Sequence, residues 1–588
     1  MQISIAQINP VIGDISYNTN LICETISNNK SNNKSNNNKN IKSDHKLIIF
    51  PELSLSGYPP EDLLYNPTWP EQINQSLKKI QSICNKHKTH ALIGHPYWVK
   101  DNINNNINNN ICINAASLIS PDLAPVLSPD LSANNNTIKI IAIKTALPNY
   151  GVFDEKRYFT SYQDIKNADQ ICDNTFTINN TKFGVLICED GWCLNKAKQL
   201  KEKNIDLFIQ INASPFEINK HKIRHHHAIN ITKQTSIPLI SIQTIGGQDE
   251  LIFDGGSFIT DKNHNIKILS PYFETNISDF SLDNLLQKFN NNHQNNLSHD
   301  LTNNLSLNLE NIYQAIILGC QDYFRKNNFT GALIGLSGGI DSALTLALAT
   351  KALGKENVKA ILMPSEYTSE LSLECALARI KTLGVSYANI SITPIIKELK
   401  KSLSDSIKLY PESKNLALQN LQARARGLIL MAESNLCGKL VLTTGNKSEL
   451  AMGYATLYGD MSGAFNLIKD LYKTQVYELS KFINTKFNSQ IIPNKVITRA
   501  PSAELAPNQT DQDSLPPYDI LDKILIEIIE NNKSINQLKN MGYNNQTIDL
   551  VISKLKFSEH KRKQSPLGIK LSKRSFGKDW RYPIALRI

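Results

Sequence analysis

Residues Gly335–Ala343 read GLSGGIDSA between the apolar stretch Gly331–Ile334 and the helical pattern SALTLALATKAL. A strand that runs into a glycine-rich turn and straight into a helix restricts this part of the chain to an α/β fold. The turn is also a phosphate cradle. Gly338 and Gly339 lack a Cβ, so backbone N–H groups can curl round an anion that comes close to the main chain. Gly335, Leu336 and Ile340 complete the turn, and the helix behind it adds unsatisfied donors and the positive end of a dipole. Ser337 and Ser342 can donate hydroxyls to phosphate oxygens. Asp341 puts a carboxylate where phosphate alone would be repelled, which calls for Mg²⁺ between them. The Lys-Ser/Thr pair that ends a P-loop is absent.

At 588 residues the chain exceeds one ordinary domain, and length suggests about two to four. The start, MQISIAQINPVIG, has no basic segment before an apolar one, and no apolar run approaches the ~20 residues that span a bilayer. A soluble, cytoplasmic protein without a membrane partner is expected. The nine cysteines are scattered, and the nearest pair, Cys188 and Cys193, has neither redox-motif nor zinc-knuckle spacing. The formal charge of +10 is interspersed with acidic residues, except in the C-terminal run HKRKQSPLGIKLSKR. Phosphate-rich small substrates account for that run, so no nucleic-acid partner is expected.

Three asparagine-rich stretches, Asn28–Asn40, Asn102–Asn110 and the segment from Asn290 to Asn308, lack the apolar content to pack and read as surface loops. Three segments are expected: residues 1–275, a linker over 276–308, and residues 309–588. Before the linker the short strands ISIAQI, KLIIF, ALIG, ICINAASLI, IKIIAI, FGVLIC, DLFIQI and PLISIQ alternate with helical stretches. After it GALIGL, KAILMP, NISI and KLVLTTG do the same, so both halves are α/β. The second half reads as an open, doubly wound parallel sheet with its ligand site beyond the strand C-termini at a switch point.

Three reactive side chains in the first half each follow a strand: Glu52 after KLIIFP, Lys144 after IKIIAI and Cys188 after FGVLI. All three can converge on one sheet edge as an acyl-transfer site. Cys188 supplies the nucleophile, Lys144 holds thiolate and oxyanion by charge, and Glu52 moves protons to the leaving amine and from the attacking water. The His225-His226-His227 cluster, with His221 one helical turn away, invites a zinc reading. A polar helix face accounts for the same residues, and neither chemistry needs zinc.

The flanking segments PELSLSGYPPEDLL, KTALPNYGVFDEKRYF and ICEDGW resemble the signature regions of the nitrilase, or carbon–nitrogen hydrolase, superfamily, over roughly Met1 to Tyr272. The resemblance implies an αββα sandwich and makes Glu155 a supporting second glutamate. Lys156 is the rival for the lysine role, and Lys144 fits the pattern better. A glutamine pocket including Tyr150, Ser214, Lys220, Glu189 and Trp192 is also implied. The GLSGGIDS loop resembles the pyrophosphate loop of the ATP-pyrophosphatases, which cut ATP to AMP and pyrophosphate.

An amidase releases ammonia and an ATP-pyrophosphatase activates a carboxylate for it to attack. With NLQARARG, LTTGNKSELAMGYATLYGD, DLYKTQVYEL, RAPSAEL and FSEHKRKQSPLG, nearly the whole chain resembles the glutamine-dependent NAD⁺ synthetases. Their reaction turns deamido-NAD⁺, ATP and glutamine into NAD⁺, AMP, pyrophosphate and glutamate. The resemblance implies that Thr444, Lys473 and Ser502 join the 335–342 loop on ATP. It puts Asn420, Arg424, Glu449, Asp460 and Lys561 on the dinucleotide and Asp341 and Glu449 on Mg²⁺. A homo-oligomer is expected. Leu457 stands before Tyr458-Gly459-Asp460 where the ammonia-dependent form has a lysine, which leaves the neutralising cation open. A tRNA-modifying ATP-pyrophosphatase is the alternative; it shares the loop but leaves the amidase half without a role. GMP and asparagine synthetases are excluded because their glutaminases use a Cys-His-Glu triad or an N-terminal cysteine.

Overall fold

The computed structural model describes residues 1–29, 46–100, 110–121, 138–166, 168–282, 305–507 and 509–585. Of the asparagine-rich stretches only 28–29, 110 and 305–308 are described; the remainder lies outside the described residues. The chain forms two compact units, Met1–Gln248 with Phe253–Asn303, and Asp249–Ile252 with Asn304–Ile588.

The first unit holds two six-stranded sheets. One runs Asn276–Ser281, Gln2–Gln7, Lys46–Ile49, Thr89–Lys100, Asn110–Ile119, Ile138–Ile143; the other runs Ile266–Ile268, Phe258–Thr260, Leu239–Gln243, Leu207–Asn212, Thr181–Ile187, Thr175–Ile178. Alternate residues of facing strands close one core: Ile3, Ile5, Leu47 and Ile49 meet Val185, Ile187, Ile209 and Ile211, all buried. Each such side chain contributes roughly 1.5–3 kcal/mol. Helices cover the outer faces. Trp69–His87 buries Trp69, Ile73, Leu77, Ile80 and Cys84, one stripe at helical spacing, and has a proline in its first turn. Lys220–Thr235 and Leu194–Lys201 pack Ala197, Leu200, Ala228 and Ile231 against Leu186, Phe208 and Leu239 of the second sheet. This is the expected αββα sandwich.

The expected linker begins too early. Asn276–Ser281 is an edge strand, antiparallel to Gln2–Gln7 from Gln2↔Ser281 to Gln7↔Asn276. The backbone groups on that edge need partners, and this polar segment supplies them in spite of its composition. The helix Leu305–Lys326 likewise starts before residue 309.

The second unit carries one all-parallel sheet in the order Ser386–Asn389, Val358–Leu362, Ala332–Gly335, Leu440–Thr443, Phe465–Asn466, Leu567–Gly568. Strand order reverses between Ala332–Gly335 and Leu440–Thr443, the switch point where ligands of such sheets bind. Leu333, Ile361 and Val441 point to one face and pack on Ala425, Ile429 and Leu430 of the helix Lys414–Cys437. Ile340–Leu353 packs on the sheet, and Leu305–Lys326 and Lys473–Lys486 pack on that helix. The third strand is Ser386–Asn389 rather than NISI: Ile390 still bonds Leu362 O at 2.8 Å, but Ser391 Oγ accepts from Thr393 N and starts a helix. A helical layer over 450–580 packs Leu521, Ile524, Leu525, Val551 and Trp580 into its own core.

Candidate active sites

Glu52, Lys144 and Cys188 all leave strand ends of the first unit, and the structure brings them together below the surface. Lys144 Nζ donates to Glu52 Oε1 at 2.8 Å and to Glu155 Oε1 at 2.7 Å, with every one of these side chains buried. Burial works against the ammonium, yet Glu155 and Glu52 hold its pKa well above the ordinary lysine value. Burial pushes Glu155 up to about 7, with Lys144 pulling the other way. The Cys188 thiol is raised well above its usual range, by burial first and then by Glu52, with Lys144 opposing. Cys188 has φ +46°, a left-handed backbone at the head of a tight turn, Cys188–Trp192.

Sequence reasoning missed the residues that hold Glu52. Asn114 Nδ2 donates to its Oε1 at 2.8 Å and the backbone N of Ala213 to its Oε2 at 2.9 Å, while Tyr58 OH donates to Glu155 Oε1 at 2.8 Å. Asn114 lies inside ICINAASLI and Ala213 contributes only its main chain, so neither carries a motif. Lys156, the rival lysine, is exposed. Lys144→Ala is expected to lower turnover at this centre by about 10²–10⁴-fold and Lys156→Ala to leave it near normal, measured as ammonia released from a primary amide. Removing Lys144 strands two buried carboxylates at a cost of about 3–5 kcal/mol, so the melting temperature is measured alongside as the folding control.

Around this centre Tyr150 OH donates to Glu189 Oε1 at 3.0 Å, and Lys220 Nζ lies 5.2 Å from the centre of the Trp192 ring. Ser214 is buried beside Trp192, Arg224 and His227 at one small cavity. The histidine cluster packs on aromatic rings: His225 is 4.7 Å from Phe258 and His227 4.1 Å from Trp192. Burial lowers His225 to about 3 and His221 to about 4, which keeps both neutral.

In the second unit the 335–342 turn sits at the C-terminal end of its strand, on a cleft of about 1880 Å³ counting space open to solvent. Gly338 has φ +85°, and a Cβ there would lie 2.4 Å from Ser372 O, so only glycine fits. The serine hydroxyls shape the loop itself. Ser337 and Ser342 Oγ lie 3.1 Å apart, Ser342 Oγ donates to Gly339 O and Ser337 Oγ accepts from Gly339 N. Asp341 Oδ2 accepts from Lys473 Nζ at 2.6 Å and its Oδ1 from Asn446 Nδ2 at 2.9 Å. Lys473 Nζ also donates to Glu449 Oε1 at 3.0 Å, and Glu449 closes a capping box with Asn446 at the start of Lys447–Met452. Burial pushes Glu449 up to about 8, with Asp341 and Asp511 adding to it against Lys473.

Asp341 and Glu449 are oxygen donors of the kind Mg²⁺ takes, two carboxylates with room for waters and substrate phosphates. The pair fits the ion, with Lys473 as a competing cation between them. Among the described residues no group of three or more His, Cys, Asp and Glu forms a ready-made metal site.

Thr444, Ser502, Lys473, Glu449 and Asp460 line the cleft; Asn420, Arg424 and Lys561 do not. These three brace the adjoining segment instead. Asn420 Oδ1 accepts from Thr456 Oγ1, Arg424 Nε donates to Leu457 O at 3.2 Å, and Lys561 Nζ donates to Gly453 O and Ala455 O at 2.7 Å. Two cations thus stand beside the segment that carries Leu457. Asp460 is pushed up to about 6 by burial, against a bond from Thr456 N and the charge of Lys561. Arg426, about 200° round the helix from Arg424, is the cation of NLQARARG that faces the cleft, with Nε on Met363 O at 3.2 Å. Arg499, the first residue of RAPSAEL, and Asp511 line it too, and the sequence had assigned neither a role.

A buried thiol–ammonium–carboxylate centre on an αββα sandwich and a phosphate-cradle cleft on a parallel sheet, in one chain, define an ATP-dependent amidotransferase that carries its own amidase. The family models for carbon–nitrogen hydrolase and NAD synthase match residues 2–290 and 312–565. A glutamine-dependent NAD⁺ synthetase of Acinetobacter baylyi is 38% identical over 597 residues, covering 99% of this chain and 98% of the relative. That of Thermotoga maritima is 35% identical over 615 residues, covering 100% and 99%. The solved glutamine-dependent NAD⁺ synthetase of Acinetobacter baumannii, in complex with ADP, is 35% identical with a TM-score of 0.70 and covers 99% and 98%. The chain belongs to the glutamine-dependent NAD⁺ synthetases.

Proposed function

We propose that the chain converts deamido-NAD⁺ to NAD⁺ with ammonia cut from glutamine, at the cost of ATP cleaved to AMP and pyrophosphate. The observation that carries this reading is the full-length match to NAD⁺ synthetases in a chain whose two centres are both intact. In the amidase centre Glu52 takes the Cys188 proton and Sγ attacks the side-chain carbonyl carbon of glutamine. Lys144, held by Glu155, bears the charge of the tetrahedral oxyanion, and Glu52 returns the proton to the departing ammonia. Water, deprotonated by Glu52, then breaks the thioester and releases glutamate. Tyr150, Glu189, Trp192, Ser214 and Lys220 hold the substrate.

In the second centre a carboxylate oxygen of deamido-NAD⁺ attacks the α-phosphorus of ATP and the bond to pyrophosphate breaks. Ammonia then attacks the acyl carbon, loses a proton and displaces AMP. The 335–342 loop with Thr444, Lys473 and Ser502 holds ATP; Asn420, Arg424, Glu449, Asp460 and Lys561 serve the dinucleotide side. Mg²⁺ held by Asp341 and Glu449 would offset charge on the leaving pyrophosphate. The ADP complex of the A. baumannii relative supports the nucleotide site. A homo-oligomer in the cytoplasm completes the proposal, checked by light scattering and cell fractionation; no described helix is long and apolar enough to cross a membrane.

The test supplies deamido-NAD⁺, ATP and Mg²⁺ with either glutamine or ammonium and looks for NAD⁺ and AMP. Glutamine hydrolysis without NAD⁺ formation from either donor would leave only an amidase. Lys561→Ala is expected to raise the KM for deamido-NAD⁺ several-fold while basal glutaminase stays level, because it frees the carbonyls of Gly453 and Ala455. An unchanged KM removes Lys561 from the dinucleotide side.

A further inference from the structure

Asp190 lies two residues beyond Cys188 in the same tight turn and is 2% exposed. The mechanism above does not use it. Its Oδ1 accepts from Ala146 N at 2.7 Å and from Thr145 N at 3.0 Å, and its Oδ2 from Thr145 N at 3.3 Å. Thr145 and Ala146 are the two residues directly after Lys144, where the strand Ile138–Ile143 has ended. The opposite side of the turn is held as well. Gln210 Nε2 donates to Cys188 O at 3.0 Å, and it packs so closely that a Cβ on Gly191 would lie 2.1 Å from it.

We propose that Asp190 is the positioning residue that sets Lys144 against Cys188, by tying the backbone after the lysine to the turn that carries the thiol. Glu52 and Glu155 hold the ammonium at one end of the side chain, and the backbone anchor fixes the other end relative to the turn that carries the sulfur. Other bonds hold this stretch to its own neighbourhood: Lys144 N donates to Asn114 O at 2.9 Å, Ser161 Oγ to Thr145 O at 2.7 Å and Lys196 Nζ to Thr145 Oγ1 at 2.9 Å. Only Asp190 links it to the nucleophile turn among these contacts. A charged acceptor that takes both adjacent N–H groups is a stiffer tie than a neutral one, and a misplacement of about 1 Å in a reacting pair costs on the order of 10²-fold.

The inference rests on Cys188 and Lys144 as nucleophile and cation, and it is tested in the full chain with Asp190→Ala and Asp190→Asn. Asn keeps an Oδ1 acceptor for both N–H groups; Ala removes it. Glutaminase kcat is expected to fall about 10²-fold in Asp190→Ala with little change in KM, and to stay within about tenfold in Asp190→Asn. The pH midpoint for alkylation of Cys188 by iodoacetamide should rise in Asp190→Ala, since a displaced ammonium supports the thiolate less. Ammonium-driven NAD⁺ formation should be unchanged in both. If Asp190→Ala does not fold, Asp190→Glu, one methylene longer, displaces Thr145 and Ala146 without leaving them unpaired and must show the same loss. Normal turnover in Asp190→Ala, or in Asp190→Glu where that stands in for it, overturns the proposal. So does equal impairment of the Ala and Asn variants, or a lost kcat with an unmoved alkylation profile. Normal Asp190→Ala turnover beside a dead Cys188→Ala overturns this inference alone.

Discussion

Cys188→Ala is expected to abolish glutamine-driven NAD⁺ formation, a loss of at least about 10³-fold, and to leave ammonium-driven formation largely intact. The thiol is the only group in the buried centre able to form a covalent acyl intermediate; Glu52, Lys144 and Glu155 are committed to one another at 2.7–2.8 Å. The substitution is mild for the fold. Alanine retains the Cβ, so the left-handed conformation at φ +46° is no worse than with cysteine, and only one sulfur is lost from a buried position. Steady-state NAD⁺ production with each nitrogen donor is the measurement, and equal loss with both would mean that the two centres are not separable.

Asp341→Asn is expected to stop synthesis with either nitrogen donor, by roughly 10²–10³-fold, while basal glutaminase continues. The carboxylate heads the helix Ile340–Leu353 at the glycine turn and accepts from Lys473 at 2.6 Å and Asn446 at 2.9 Å. An amide of the same shape still offers one acceptor but no charge, and its NH₂ group faces a donor. The side chain is 18% exposed and Lys473 keeps Glu449 as a partner, so the cost falls on chemistry more than on folding. Pyrophosphate release on addition of deamido-NAD⁺ reports the step; release at the normal rate would remove Asp341 from it.

Much of the architecture was legible because each half repeats short apolar strands and amphipathic helices, and the strand ends after Ile49, Ile143 and Ile187 marked where reactive residues emerge. The linker was misjudged at Asn276–Ser281 for a physical reason: a polar edge strand owes its place to the unpaired backbone of Gln2–Gln7, which local composition does not register. Arg424 and Arg426 show the same limit. Both stand in ARAR, and only the helix's rotation against the sheet decides that Arg426 faces the cleft while Arg424 reaches Leu457 O.

By itself the sequence determined the two α/β halves, and it marked Glu52, Lys144, Cys188 and the 335–342 turn as candidates, since each depends on residue types at short spacings: apolar alternation, paired glycines, a reactive side chain just past a strand. Tertiary structure alone decided how those groups are poised. Glu52 is oriented by Asn114 and by the backbone of Ala213, 161 residues away in the chain, and Lys473 reaches Asp341 across 132 residues. Such bonds form because burial makes an unpaired charge or donor too costly to leave, and which groups are buried together is a property of the packed sheets and not of any segment read alone.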